Sequence, residues 1–258
     1  MAQKRTSTVG KYSVVFGRWE SLITGLLSVL VLVCVSACST HPASAHVPSD
    51  GRMDSTLGSG VVPTELLVEP QARSRPLLRA IDGAQTRIFV EVYILTDASV
   101  IRALERAAAQ GVAVYVMLEH RPLGLGVQPD RMMDRLQAAG IFVKWTRPGF
   151  QLTHAKFVVV DDRLAVISSA NFSRSAFRQN RDFLVFDRRR ADVISISNLF
   201  RADWDRLPVR FENFNLLISP VNARQKLQKL IARARRSINV YAEEIATGHR
   251  PDSVARPE

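Results

Sequence analysis

Beyond residue 64, apolar positions recur first with one period and then with another. Leu77, Leu78, Ile81 and Ala84 repeat at helical spacing, and Arg87 to Ile94 then runs apolar and branched over the length of a buried strand. Ala98 to Gln110 places Ile101, Leu104 and Ala108 on one helical face, Gly111 stops it, and Val112 to Leu118 reads as the next strand. A helix from Pro129 to Ala139 and a strand from Ile141 to Trp145 repeat the step. Ala155 to Val160 and Leu164 to Ser168 pair across Asp161-Asp162-Arg163, Phe183 to Phe186 adds a strand, and Ala191 to Leu207 closes with a helix. Strands alternating with helices predict an α/β layered domain.

The pattern then restarts. Residues 66–90 set against 216–240, an offset of 150, match at eight of 25 positions: Leu66, Leu67, Pro70, Leu77, Ile81, Ala84, Ile88 and Val90. Chance gives about two such matches, so the lobe is duplicated. The second copy is short, and Ala246 to Glu258 lacks the helix that follows the first strand in copy one. The expected division is a leader over 1–37, a tether over 38–64, a first lobe over 65–210 and a truncated second lobe over 211–258.

At the other end, Lys4, Arg5, Lys11 and Arg18 precede a run without charge from Ser21 to Thr40, the layout of a secretory signal. Both cysteines of the chain, Cys34 and Cys38, lie in that run, which leaves the folded part without an internal disulfide. Val35-Ser36-Ala37-Cys38 resembles the bacterial lipobox, which implies that Cys38 is lipidated and becomes the mature N-terminus. An uncleaved helix also fits, because about 20 apolar residues span a bilayer; the small residues before Cys38 favour the lipoprotein. Cys34 is then an apolar leader residue. Pro, Gly, Ser and Thr without apolar period make the tether, His41 and His46 included. The expectation is an exported lipoprotein anchored at a bacterial membrane, with Ser39 leaning towards the outer one.

The formal charge of +11 falls to +8 without residues 1–37 and favours anionic partners without choosing among lipid surfaces, phosphate esters and nucleic acid. The chemistry concentrates at His154-Ala155-Lys156, with Asp161 after four more residues, then Ser168-Ser169-Ala170-Asn171. On an extended strand, residues two apart share a face, so His154 and Lys156 can address one phosphate. A neutral imidazole can attack phosphorus while an ammonium holds the anionic oxygens, with no metal or cofactor required. Asn171 adds an amide donor and Ser169 a hydroxyl. His120 reads as a loop residue, Arg188-Arg189-Arg190 as a solvated run, and Trp145 and Trp204 as core.

His-x-Lys-x4-Asp followed by Ser-x-Asn, with Asn180-Arg181-Asp182 downstream and a duplicated lobe, resembles the phospholipase D superfamily over residues 65 to 245. The second-lobe opening, Asn222-Ala223-Arg224 to Tyr241-Ala242-Glu243-Glu244, is similar to secreted bacterial members. The resemblance implies a layered sandwich with a mixed sheet flanked by helices, present as one complete lobe and the start of a second. It implies that His154 is the nucleophile, that Lys156 and Asn171 bind phosphate, that Ser169 supports the site and that Asp182 holds the imidazole. Asp161 is expected to be a hydrogen-bond and ion-pair partner. Ser168 stands where the family has Gly, and Asp182 where it has Glu.

The family mechanism also uses a second histidine from the paired lobe, and this sequence carries one motif. Three function classes follow: a phosphodiesterase cleaving phospholipid head groups, an endonuclease in which a homodimer supplies the second histidine, and a non-catalytic truncated remnant. Export, the membrane tether and the likeness to bacterial phospholipases favour the first.

Overall fold

A computed structural model describes residues 64–122 and 128–242, together with the backbone of Leu32–Cys34. Cys38, the tether histidines and His249 lie outside the described residues. Among those described, no helix is long and apolar enough to cross a membrane.

Strand β1 (Leu32–Cys34) pairs antiparallel with β9 (Asn239–Tyr241). The main sheet has seven strands, β2 (Thr64–Val68), β3 (Arg87–Val92), β4 (Ala113–Leu118), β5 (Phe142–Trp145), β6 (Lys156–Val160), β7 (Leu164–Ser168) and β8 (Phe183–Asp187), in the order β2-β8-β7-β6-β3-β4-β5. β3, β4 and β5 run parallel, and every other neighbouring pair in this sheet is antiparallel. The helices are α1 (Arg75–Asp82), α2 (Ala98–Ala109), α3 (Pro129–Ala138), α4 (Arg174–Gln179), α5 (Arg190–Trp204) and α6 (Ala223–Ala232). This is the α/β layering that the pattern predicts, with the mixed sheet flanked by helices that the resemblance implies.

Alternation along the strands builds two cores. Ile88, Val90, Val92, Val114, Val116 and Val158 face Leu77, Ile81, Ile101, Leu104, Leu136 and Phe177 from α1 to α4. Phe89, Met117, Phe157 and Val159 face Val193, Ile196 and Phe200 of α5 on the other side. Asp97 caps α2 by accepting from Ser99 N and Val100 N at 2.9 and 3.1 Å, and Gly111 follows the helix at φ +88°, where a side chain is strained.

Some local readings change. Thr64 belongs to an edge strand, β2, that the apolar pattern does not announce. Helix α4, six residues long, is too short for an apolar period to announce it. The charge run at 188–190 is only partly a solvated one: Arg189 pairs with Asp187 at 2.9 Å and Asp192 at 2.8 Å, both carboxylates being buried.

Candidate active site

The mixed sheet gathers one set of strand ends at a single edge. β2, β3, β4, β5 and β7 end there, and β6 and β8 begin there, so Glu69, Tyr93, Glu119, His154, Asn171 and Asp182 come together from six strands. Such an edge is where open α/β sheets bind ligands.

His154 stands two residues before β6 rather than within it. The local pairing continues all the same, since Tyr93 N donates to Ala155 O at 2.9 Å. Tyr93 joins the two motif residues: its ring meets the imidazole edge to face at 4.6 Å, and Lys156 Nζ lies 5.2 Å from its centroid. Lys156 is buried and donates to the His154 carbonyl at 3.0 Å. Burial first, and then the Lys156 charge, push the His154 pKa down to about 4. At neutral pH the imidazole therefore keeps a free lone pair.

Asn171 is set level with Ile94, the chain neighbour of Tyr93, by backbone pairing. Phe172 N donates to Ile94 O at 3.0 Å, and Thr96 N and Asp97 N donate to Phe172 O at 2.9 and 2.8 Å. The Asn171 Oδ1 is buried with no hydrogen-bond partner among the described residues. A half-turn of the amide offers a donor at the same place, which is what an anionic ligand needs.

The remaining motif residues do other work. Ser169 Oγ donates to Asp182 Oδ1 at 2.5 Å and accepts from Phe183 N at 2.9 Å, so its proton is committed to Asp182 rather than offered to a substrate. Asp182 thus holds Ser169, and among the described residues it makes no hydrogen bond to the imidazole. Its own carbonyl accepts from Glu69 N at 2.8 Å, which fixes it beside β2.

Asp161 is not brought to the site. It lies at the opposite end of β6, where its carboxylate accepts from Gln85 N, Thr86 N, Thr86 Oγ1 and Arg87 N at 2.8 to 2.9 Å. Burial acts to raise its pKa, and these hydrogen bonds outweigh it and hold the carboxyl below the ordinary range. Asp161 thus fixes the start of β3 from a left-handed turn (φ 54°). The expected ion pairs fall to its neighbour Asp162, 2.9 Å from Arg201 and 3.5 Å from Arg87.

Three residues of this edge carry no motif. Tyr93 sits inside an apolar run. Glu69 is wholly buried, accepts from Arg73 N at 2.7 Å, and has its pKa raised to about 7 by burial, against the Arg73 hydrogen bond and with help from the Asp182 charge. Glu119 accepts from Thr153 N at 2.8 Å and from Thr146 Oγ1 and Arg121 N, each at 3.1 Å. It therefore ties the segment leading into His154 to the end of β4. A glutamate closing an apolar strand, as in Met117-Leu118-Glu119, was the available signal.

Residues 77–204 match the family described as cardiolipin synthase, phospholipase D-like domain. The chain belongs to the phospholipase D superfamily. It is 33% identical over 163 residues to cardiolipin synthase A of Pseudomonas putida strain GB-1, covering 62% of this chain and 32% of that protein. Cardiolipin synthase A of Pseudomonas entomophila is 30% identical over 132 residues, covering 50% and 27%. The chain thus spans about a third of the length of these curated relatives. Among solved structures, the phospholipase D family member Nuc from Salmonella typhimurium shares the fold, with a TM-score of 0.51 and 24% identity over 58% of this chain and 98% of that one.

Proposed function

We propose that this superfamily domain is a phosphodiesterase that acts on phospholipids through a phosphohistidine. The observation that carries this reading is the neutral imidazole of His154 held with the Lys156 ammonium around one tyrosine ring. His154 attacks phosphorus, a P–N bond forms as the P–O bond to the departing alcohol breaks, and Lys156 and Asn171 hold the anionic oxygens. Water or an alcohol then attacks the phosphohistidine, and the nitrogen leaves with its electron pair. The departing alkoxide takes its proton from a second histidine, supplied by a paired lobe or by a second copy of the chain. The likeness to cardiolipin synthases and the lipobox favour a lipid over nucleic acid. On this reading, Cys38 carries the lipid that keeps the domain at the membrane where its substrate lies; mass spectrometry of the mature N-terminus tests that part.

His154→Ala and His154→Asn are expected to abolish cleavage of a labelled phosphatidyl lipid while leaving the urea midpoint of unfolding intact. Lys156→Ala is expected to cost about 3 kcal/mol of transition-state stabilisation. Quenching the parent mid-reaction should trap acid-labile, base-stable phosphate on the protein. A His154→Ala variant that cleaves at the parent rate ends the reading.

A further inference from the structure

A cavity of about 260 Å³ opens at the same sheet edge, between the ends of β3 and β4 and helix α3. It shares two walls with the candidate site. Tyr93, which carries His154 on its ring, lines it, and so does Glu119, which anchors the segment before His154. The apolar part of the remaining lining is chiefly Leu95, Leu118 and Met132, beside polar Thr96, Gln128 and Arg135, and exposed Arg131 also lines it. The volume is slightly below that of whole-ligand pockets, which suits one part of a larger molecule.

Among the described residues lining it, Tyr93 alone is aromatic, and its ring is already engaged by His154 and Lys156. A nucleobase therefore finds no free face to stack on, although stacking is the usual means of holding single-stranded bases. An alkyl chain finds Leu95, Leu118 and Met132, and the phosphate attached to it finds Arg131 and the His154–Lys156 pair. Each methylene withdrawn from water into such walls favours the bound state.

We propose that this cavity binds the acyl-glycerol part of an anionic phospholipid whose phosphate lies at His154. The proposal rests on the lipid reading above and names the part of the protein that recognises the lipid's apolar portion. Its test reads binding rather than turnover.

The full chain, labelled with carbon-13 at its methionine methyls, is titrated with monomeric dihexanoyl phosphatidylglycerol, with glycerophosphoglycerol and with a thymidine dinucleotide. The Met132 methyl resonance is expected to move with the acylated lipid and to stay in place with the other two. Met132→Trp, which fills the cavity, is expected to weaken dihexanoyl phosphatidylglycerol about tenfold and to leave inorganic phosphate binding unchanged. A silent Met132 methyl overturns the proposal, and so does an equal response to the deacylated diester or to the dinucleotide. A responsive Met132 in a chain that never forms phosphohistidine leaves the subsite standing and removes the catalytic reading instead.

Discussion

Two copies of one pattern meet opposite fates in this molecule. In the first, Leu77, Ile81, Ile88 and Val90 are each 0% exposed. In the second, the matching Ile231, Ile238 and Val240 are 41%, 43% and 44% exposed, and α6 has no buried residue. The side chains are the same and the helical spacing is the same. What differs is the company: β3 lies between β4 and β6 under α1 and α2, whereas among the described residues β9 pairs only with β1. Residues 64–68 form β2 because β8 is beside them, and residues 214–218, their counterparts, form no strand. Periodicity nominates a face for burial, and only a second layer buries it.

The comparison breaks most readily at matched substitutions. Ile81→Ala is expected to cost 2–5 kcal/mol, about what a buried isoleucine loses when a cavity is left behind. Ile231→Ala should cost less than about 1 kcal/mol, because water already reaches that side chain. Urea denaturation of the two variants measures both. Equal losses would mean that the second copy is covered in solution by something that also buries Ile231.

A second test uses charge. Glu91 lies within the buried β3, and its match in the second copy is Tyr241, which is 56% exposed. Burial first, then the charge of Asp203, push the Glu91 pKa up to about 8, against the pull of Arg206. A carboxyl with a raised folded-state pKa stabilises fully below its unfolded value near 4.5, and that contribution is lost as pH rises through about 8. Stability should therefore fall as pH rises from about 4.5 to about 8, and Glu91→Gln should flatten that fall. A variant with the parent's pH slope would show that Glu91 is better solvated than its position implies.

The elements from Arg87 to Trp145 were legible because each is long enough to complete its period. β2 was not: its five residues show no alternation, and its pairing with β8 depends on residues more than a hundred positions away. The motif located His154, Lys156 and Asn171 at one edge of the sheet. It could not show that Asp161 works at the far end of β6, since spacing along a strand does not say which end carries the ligand. Nor could it show Tyr93, Glu69 or Glu119, single polar residues at strand ends that acquire meaning only when six strands converge.

The third test concerns a stretch that is held neither as a strand nor as a helix. Residues 146–155 run from the end of β5 to β6, and their order near His154 comes from polar contacts, Glu119 accepting from Thr146 Oγ1 and Thr153 N. Packing holds the first copy; hydrogen bonds hold this segment, two of them made to the Glu119 carboxylate. Removing that carboxylate should free Thr153 and let the imidazole move out from Tyr93 towards water, which relieves the burial that depresses its pKa. Glu119→Ala is accordingly expected to raise the His154 pKa from about 4 by about one unit, roughly 1.4 kcal/mol, as followed by NMR of the ring protons. Glu119→Gln keeps an oxygen for Thr153 N and should restore most of the depression. A merely structural role for Glu119 predicts something else, a lower urea midpoint in both variants with the His154 titration unmoved, and that outcome would leave the imidazole's burial to Tyr93 and Lys156 alone.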